Sequence, residues 1–398
     1  MLRRFFTFIL AALACACACA QDAAQKTVDI TKTWDSKTPI YRISISGPDE
    51  AAVLTTRALS THGSFRITNA DAHFAIEIAK AQNGAVDLKI SGAKPFAQTV
   101  QGKNTANAVA KACDLVAAKI LGEPAYFTGT LAFVSDRTGH TEIYTSDMLF
   151  QNIRSITSDK SDSMLPHWSP DGSKIIYTGY FRTKLMDLYE IDLRTKTRKT
   201  FASFKGTNTG GAFSPDGSKI AMILTASGNA EIWTCSAGAN AKNNLKKITN
   251  SSAAEASASW SPSGKELIFS SDAMGSPQLY TMPAAGGQMK RVPTNISGYC
   301  SEPDWNKRFP NLIAFTTAQS GAFQIAVYDF NTKQSRVITT GGSSSMPKWT
   351  NDGRHIIFTK TQGKSRTLYI VDSITQKQTA LHSKNLGNCA EADFLPTK

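Results

Sequence analysis

At 398 residues the chain is long enough for two domains. Its formal charge of +13 suggests an acidic partner or surface, but the bases are dispersed through turns such as 194–199 and 242–247 with no aromatic stacking platform beside them. That pattern speaks against nucleic acid and for a solvated basic face, and after the first 20 residues no stretch approaches the ~20 apolar residues of a membrane span.

The chain opens with Met1-Leu2-Arg3-Arg4, an apolar stretch over 5–13 and a run of small residues over 14–20. This is the pattern of a secretory signal. Ala18-Cys19-Ala20 fits the small-x-small cleavage rule, so residues 1–20 are expected to leave and Gln21 to begin the mature protein. Loss of Arg3 and Arg4 lowers the formal charge from +13 to +11. Lipidation at Cys15, Cys17 or Cys19 would call for an aliphatic residue three places earlier, where Ala12, Ala14 and Ala16 stand. A soluble, exported, periplasmic protein is expected.

Residues 21–128 have a mixed texture. β-like stretches at 38–46, 74–79 and 86–90, with helical patterns at 49–60 and 104–121, predict a small α/β domain. In the second helix Ala106, Val109, Ala110, Cys113, Val116, Ala117 and Ile120 recur at spacings of three and four and make one apolar face. Gly122-Glu123-Pro124 ends that helix and begins a linker.

From about residue 129 the chain is an array. An aromatic followed by a Ser-Pro-Asp-Gly-like turn occurs at Trp168, Phe213, Trp260, Trp305 and Trp349, at steps of 45, 47, 45 and 44 residues, and a further step of 45 lands on Phe394. This is the period of a four-stranded propeller blade. In the turn, Pro presets φ, Asp accepts from nearby amides and Gly takes positive φ; the aromatic itself is expected to pack between blades. Runs at 174–178, 219–223, 266–270, 312–316 and 355–359 read as doubly buried central strands. Alternating runs at 187–192 and 230–234 read as outer ones. A sixth central run, 131–136, has no aromatic turn before it, and 391–394 has no strand after it. The two complete each other, which predicts a mainly β fold with a six-bladed propeller over 129–398, closed by the C-terminal strand.

Four cysteines remain after the signal: Cys113, Cys235, Cys300 and Cys389. Cys300 and Cys389 each lie five residues before a repeat aromatic, which reads as the same place in adjoining repeats. A bridge between them suits an oxidising compartment and would latch the closing strand. Two buried free thiols are the alternative.

The small α/β domain, the linker Gly122-Glu123-Pro124-Ala125-Tyr126-Phe127-Thr128-Gly129 and the opening strand Leu131-Ala132-Phe133-Val134-Ser135-Asp136-Arg137, in that order, resemble the TolB family, the periplasmic component of the Tol-Pal cell-envelope system. The resemblance implies a non-enzymatic, monomeric adaptor that supports envelope integrity and outer-membrane invagination during division. It implies two partners. One is a TolA-like inner-membrane protein, engaged by an N-terminal segment whose matching residues here are Val28, Asp29, Ile30 and Asp35, with Trp34 as an aromatic anchor. The other is the peptidoglycan-associated lipoprotein Pal, bound at one mouth of the propeller. The loops leading into the innermost strands would form such a mouth, with Met164, Leu165 and Met346 as anchors and Asp162, Glu302 and Glu391 as rim.

No catalytic set accompanies these features. The histidines, at 62, 73, 140, 167, 355 and 382, show no zinc spacing, no Gly-x-Ser-x-Gly elbow exists, and no cofactor or metal ligand set is read from the residues, which leaves a calcium ion in the channel open. His167 reads as a channel or strand residue. The rival reading is an exported carbohydrate-active propeller, such as a lyase on acidic glycans. It would need His, Gln and Arg converging on one mouth, whereas the positions two before each aromatic hold Pro166, Gly211, Ala258, Pro303, Pro347 and Ala392.

Overall fold

A computed structural model describes residues 38–238, 241–242 and 244–397. The signal with Ala18 and Ala20, and the segment carrying Val28, Asp29, Ile30, Trp34 and Asp35, lie outside the described residues.

Five strands make the first domain's sheet: β1 (Tyr41–Ser46), β2 (Phe65–Ile67), β3 (Phe74–Lys80), β4 (Val86–Gly92) and β5 (Phe96–Val100), in the order β2-β1-β3-β4-β5. β1 runs parallel to both its neighbours, and the other pairs are antiparallel. Phe74, Ile76 and Ile78 alternate inward along β3 and share one core with α1 (Glu50–Leu59) and α2 (Thr105–Leu121). Asp49 starts α1 by accepting from the Ala51 amide at 2.8 Å, and its other oxygen accepts from the Lys80 amide at 2.8 Å, so one carboxylate ties the helix to the end of β3. Gly122, at φ 73°, closes α2.

The remaining strands form six sheets of four, each running from the channel outward, with blade 2 built from Ser163–Trp168, Lys174–Gly179, Asp187–Asp192 and Thr197–Ala202. Blade 1 is composite. Its innermost strand is the C-terminal Cys389–Leu395, antiparallel to Thr130–Ser135 with Phe394 opposite Leu131 and Cys389 opposite Ser135. The repeat aromatics are buried between blades at 5–7% exposure; Trp260, for instance, packs on Ile223 and Ile232 of the preceding blade.

The turn chemistry recurs in detail. Ser169 Oγ donates to Asp171 Oδ1 at 2.6 Å and accepts from the Lys174 amide at 2.9 Å, while Gly172 sits at φ 71°. Ser214, Asp216 and Lys219 repeat this one blade on. Hydrogen bonds from Ser169 and Ser173, and from Ser214 and Ser218, hold the Asp171 and Asp216 carboxyls down at about 2. Blade 5 lacks Pro-Asp-Gly, and there Asn306 serves: its Oδ1 accepts from the amides of Arg308 and Phe309, both at 2.9 Å.

The two domains share a core. Leu59, Val109 and Tyr126 belong to one cluster with Leu149, Ile357, Leu381 and Phe394. Arg354, from the turn of blade 6, bonds Asp372 at 2.7 Å and reaches across to Ser64 Oγ at 2.9 Å. At Gly63 the approach is so close that a Cβ would meet Asp372 Oδ2 at 2.0 Å, so only glycine fits there.

The expected Cys300–Cys389 bridge is not present. All four described cysteines are free and buried. Cys300 opens the inner strand of blade 5 and Cys389 that of blade 1, so blade 6 stands between them, with Ser344 in the equivalent place. The two repeats do not adjoin, and each sulfur instead meets local oxygens: Cys300 Sγ lies 3.4 Å from Thr294 Oγ1, and Cys389 Sγ lies 3.6 Å from Leu386 O.

The residue that opens each inner strand meets the third strand of the blade before it. Between blades 3 and 4 this pairing brings together two carboxyls, Glu231 and Glu255, at 1% and 0% exposure. Ser251 N and Lys247 Nζ, both at 3.1 Å, donate to Glu231 Oε1; Ser251 Oγ and Ser271 Oγ donate to Glu255 Oε1. Both Oε2 atoms lack any donor. Burial, then the contact with Glu231, pushes the Glu255 carboxyl up to about 7. The folded protein therefore keeps a proton that the unfolded chain releases near 4.5, and stability falls as pH rises from there to about 7.

Two outcomes follow. A chain ending at residue 388 leaves blade 1 without its inner strand, and its thermal transition, followed by near-ultraviolet circular dichroism, should lose the cooperativity of the full chain; an unchanged transition would sink closure as the source of stability. Glu255→Gln should gain on the parent by about 2–3 kcal/mol between pH 5 and pH 7.5 in urea unfolding, and a constant difference would refute the shared proton.

Candidate docking mouth of the propeller

Every inner strand carries a bulge three residues before its aromatic. The register against the second strand shifts there in all six blades. The residue at the shift is left-handed each time: Leu165, Gly210, Ser257, Glu302, Met346 and Glu391, with φ between 52° and 64°. Five of the six are not glycine, so the ring stores a small strain at each site.

The bulge turns the chain so that the residue directly before the aromatic reaches the next blade in every blade but the third, where that residue is the apolar Ala212. Asp393 Oδ2 accepts from the Trp168 amide at 2.8 Å, Asp304 Oδ2 from the Trp349 amide at 2.9 Å, and Ser259 Oγ from the Trp305 amide at 3.2 Å; His167 Nδ1 lies 3.4 Å from the Phe213 amide. These bonds satisfy inner-edge amides that would otherwise have no ladder partner. Lys348, the same position in blade 6, reaches Asp304 at 3.3 Å and Asp393 at 3.9 Å. Burial alone would lower its ammonium, but the two carboxylates hold it above the ordinary lysine value. His167 is pushed down by burial.

A second layer lies at the bulges. Glu391 Oε2 accepts from the Leu165 amide at 2.7 Å, and Glu302 Oε2 accepts from the Met346 amide at 2.8 Å and from Thr316 Oγ1 at 2.7 Å. Burial pushes both carboxyls up. The two glutamates are half-buried, as are Leu165 and Met346, so on either side of Met346, and again between Glu391 and Leu165, polar and apolar groups adjoin in this layer.

The structure thus brings Leu165, Glu302, Met346 and Glu391 to one equivalent position around the channel. Met164 is half-buried one residue earlier in its strand. Asp162 is exposed and outside the ring, where its Oδ1 accepts from the amide and hydroxyl of Thr141 at 3.0 and 2.8 Å and ties down the hairpin of blade 1. The first domain meets blades 6 and 1 at the opposite end, where the aromatic turns lie, as in the bond from Asn351 Nδ2 to Ala125 O at 3.1 Å. The mouth into which the inner strands begin is therefore on the far side from it.

One part of the sequence reading needs correcting. Of the positions two before each aromatic, Pro166, Gly211, Pro303, Pro347 and Ala392 are buried and Ala258 is half-buried, and none of them carries a polar side chain to the next blade. The bulge shifts the phase by one, and the polar line His167, Ser259, Asp304, Lys348 and Asp393 takes that role. The signal for it was the left-handed residue, which a single sequence does not display when the bulge residue is Leu, Glu or Met.

Fold and channel together define a six-bladed β-propeller protein with an N-terminal α/β domain. Comparison with known proteins narrows this. The family model of the TolB β-propeller domain matches residues 117–395. The Tol-Pal system proteins TolB of Bordetella pertussis and Bordetella parapertussis are each 29% identical over 174 residues, which is 44% of this chain and 39% of theirs. The chain thus aligns with about two-fifths of the length of these relatives. Among solved structures, TolB from Acinetobacter baumannii shares the fold at TM-score 0.78 and 22% identity, covering 90% of this chain and 97% of that one. A structure described as putative TolB from Agrobacterium tumefaciens matches at TM-score 0.52 and 16% identity, covering 68% of this chain and 98% of that one. The chain belongs to the TolB β-propeller family.

If Lys348 is what balances the two aspartates, Lys348→Met should cost about 2 kcal/mol in urea unfolding, less than for a fully buried pair because the side chain keeps 28% of its surface exposed. Adding Asp393→Asn should recover part of the loss. Equal stability of Lys348→Met and parent would show that the channel charges do not depend on one another.

Proposed function

We propose that this protein is a non-enzymatic periplasmic adaptor of the Tol-Pal system. The observation that carries the reading is the family match, which spans the whole propeller. In this reading the propeller binds a peptidoglycan-associated lipoprotein at the mouth where its inner strands begin. Leu165 and Met346 offer apolar anchors, and Glu302 and Glu391, fixed by backbone amides of the next blade, offer acceptors that need no reordering on binding. The segment with Val28, Asp29, Ile30, Trp34 and Asp35 engages a TolA-like inner-membrane protein. Export fits the leader sequence, and among the described residues no helix is long and apolar enough to cross a membrane. The role is to support envelope integrity and outer-membrane invagination during division.

The test is a pull-down from envelope extract with the mature chain, the same chain without residues 21–36, and a Met346→Asp, Leu165→Asp double variant. The expected result is an outer-membrane lipoprotein with the first two and not the third, and an inner-membrane partner only when residues 21–36 are present. Recovery of neither partner by the intact chain would overturn the adaptor reading and favour a glycan-active propeller; capture of the lipoprotein by the double variant would move the site away from this mouth.

A further inference from the structure

The first domain leaves one edge of its sheet open. β5 pairs with β4 along its whole length without a register shift, Phe96 opposite Ile90 and Val100 opposite Val86. Among the described residues the backbone of 96–100 makes no hydrogen bond outside that ladder, and Ala97, Gln98 and Thr99 are exposed. A free edge is ordinarily closed by a bulge, a covering loop or a charged side chain on the strand itself. The three central residues of β5 have none of these, and the charge stands beside the edge instead.

That charge comes from α2. Lys111, Leu115 and Lys119 stand four residues apart and so form one stripe along the helix. The stripe runs beside β5. Lys119 Nζ lies 4.4 Å from the centre of the Phe96 ring, at the start of the strand, and Lys111 Nζ donates to Gln101 O at 2.9 Å, just past its end. Leu115, half-buried, lies midway between the two lysines. On β5 the side chains of this face are Phe96, Gln98 and Val100, since their partners Ile90, Leu88 and Val86 are buried. Lys94 and Lys103, both exposed, carry the positive charge beyond the two ends of the strand. The acids of β3, β4 and α2 are engaged elsewhere: Glu77 pairs with Lys89, Asp87 accepts from Thr99 Oγ1 on the opposite face, and Asp114 accepts from the Phe127 amide.

We propose that the edge of β5 takes up an extended acidic segment of another protein as an added strand, and that the stripe on α2 selects a segment of the pattern acid-x-apolar-x-acid. The spacing carries the match. Eight residues of helix separate the two lysines by about 12 Å, and four residues of strand span about 13 Å, so carboxylates four apart on the segment meet Lys111 and Lys119 while the apolar residue between them meets Leu115. Alternate side chains of an added strand all point to the α2 face. The ladder to β5 supplies the affinity, and the charges supply the choice of partner. In residues 1–37 no two acids stand four apart, so the part of the chain outside the described residues does not supply this pattern. A second copy of the same edge would bring four lysines into one seam, where like charges oppose each other. The site is on the first domain and does not depend on the docking mouth of the propeller.

The experiment uses the full mature chain and a fluorescein-labelled peptide, Thr-Glu-Thr-Val-Thr-Glu-Thr, with binding read by fluorescence anisotropy. The expected result is saturable binding that weakens as salt is added, together with slowed amide hydrogen exchange over 96–100. A double variant, Lys111→Glu with Lys119→Glu, should keep the parent's thermal midpoint, because both lysines are exposed, and bind about 10-fold more weakly. Replacing the two glutamates of the peptide by lysine should restore binding to that variant. Only alternate amides of an added strand face β5, so N-methylation of one alternate set of peptide residues should abolish binding and N-methylation of the other should leave it. No binding of the glutamate peptide, equal binding of the lysine peptide to the parent, equal loss from both methylated peptides, or protection at the docking mouth in place of 96–100 would overturn the proposal. A parent chain that dimerises in sedimentation and is made monomeric by Gln98→Lys would assign the edge to a second copy and overturn it too.

Discussion

Pairing of the C-terminal strand with the first strand of the propeller is the constraint on which the rest depends. Each blade buries its faces only against its two neighbours, so a ring that is open at one seam exposes two sheet faces and loses the packing of both. Blade 1 takes three strands from the start of the repeat array and one from the end of the chain. Phe394 shows how tightly the seam is fitted. Its ring lies so close to Gly129 that a Cβ there would meet it at 2.1 Å, and it packs in the same cluster as Leu131, Phe133 and Ile357.

The channel follows from a smaller device repeated six times. A strand without a bulge would send the residue before each aromatic towards a blade face, where a charge has no partner. With the bulge, Asp304, Asp393 and Ser259 turn to the amides of the next blade. The strain of five left-handed non-glycine residues is offset by hydrogen bonds that also hold blade to blade. Lys348 can then lie deep in the wheel because two of those same carboxylates surround it.

Much of the fold was legible from residues because it rests on local chemistry. The period of the aromatic turns gives the blades, and unpaired half-repeats at the two ends give the closure. The helix over 105–121 announced itself through Val109, Cys113, Val116 and Ile120. By contrast β2 and β5 did not, since one has three residues and the other is largely exposed, so neither carries a hydrophobic run. The channel line was misplaced by one residue because bulge residues as different as Leu165 and Glu391 carry no shared side-chain signal. The supposed cysteine bridge failed for a topological reason: two residues can hold equivalent places in their repeats and still have a whole blade between them. The contact between the rings of His62 and His355, 4.5 Å apart, was invisible for a related reason, because the two come from different domains and no spacing links them.

The closing strand also joins the two ends of the wheel. Along Cys389–Leu395, Glu391 stands at the proposed docking mouth and bonds blade 2, whereas Phe394, three residues on, packs against the linker from the first domain. A β-strand with ladder bonds on one side and cross-blade bonds on the other moves as a unit or not at all. Anything that shifts Glu391 therefore acts on the seam against which the first domain is packed. The inner strands of blades 2 to 5 lack this double contact, since only blades 6 and 1 touch the first domain among the contacts described. If the mouth and the first domain influence each other, blades 6 and 1 are where the fold supplies a continuous mechanical route, and the buried bonds from Arg354 to Asp372 and Ser64 tie blade 6 to the first domain.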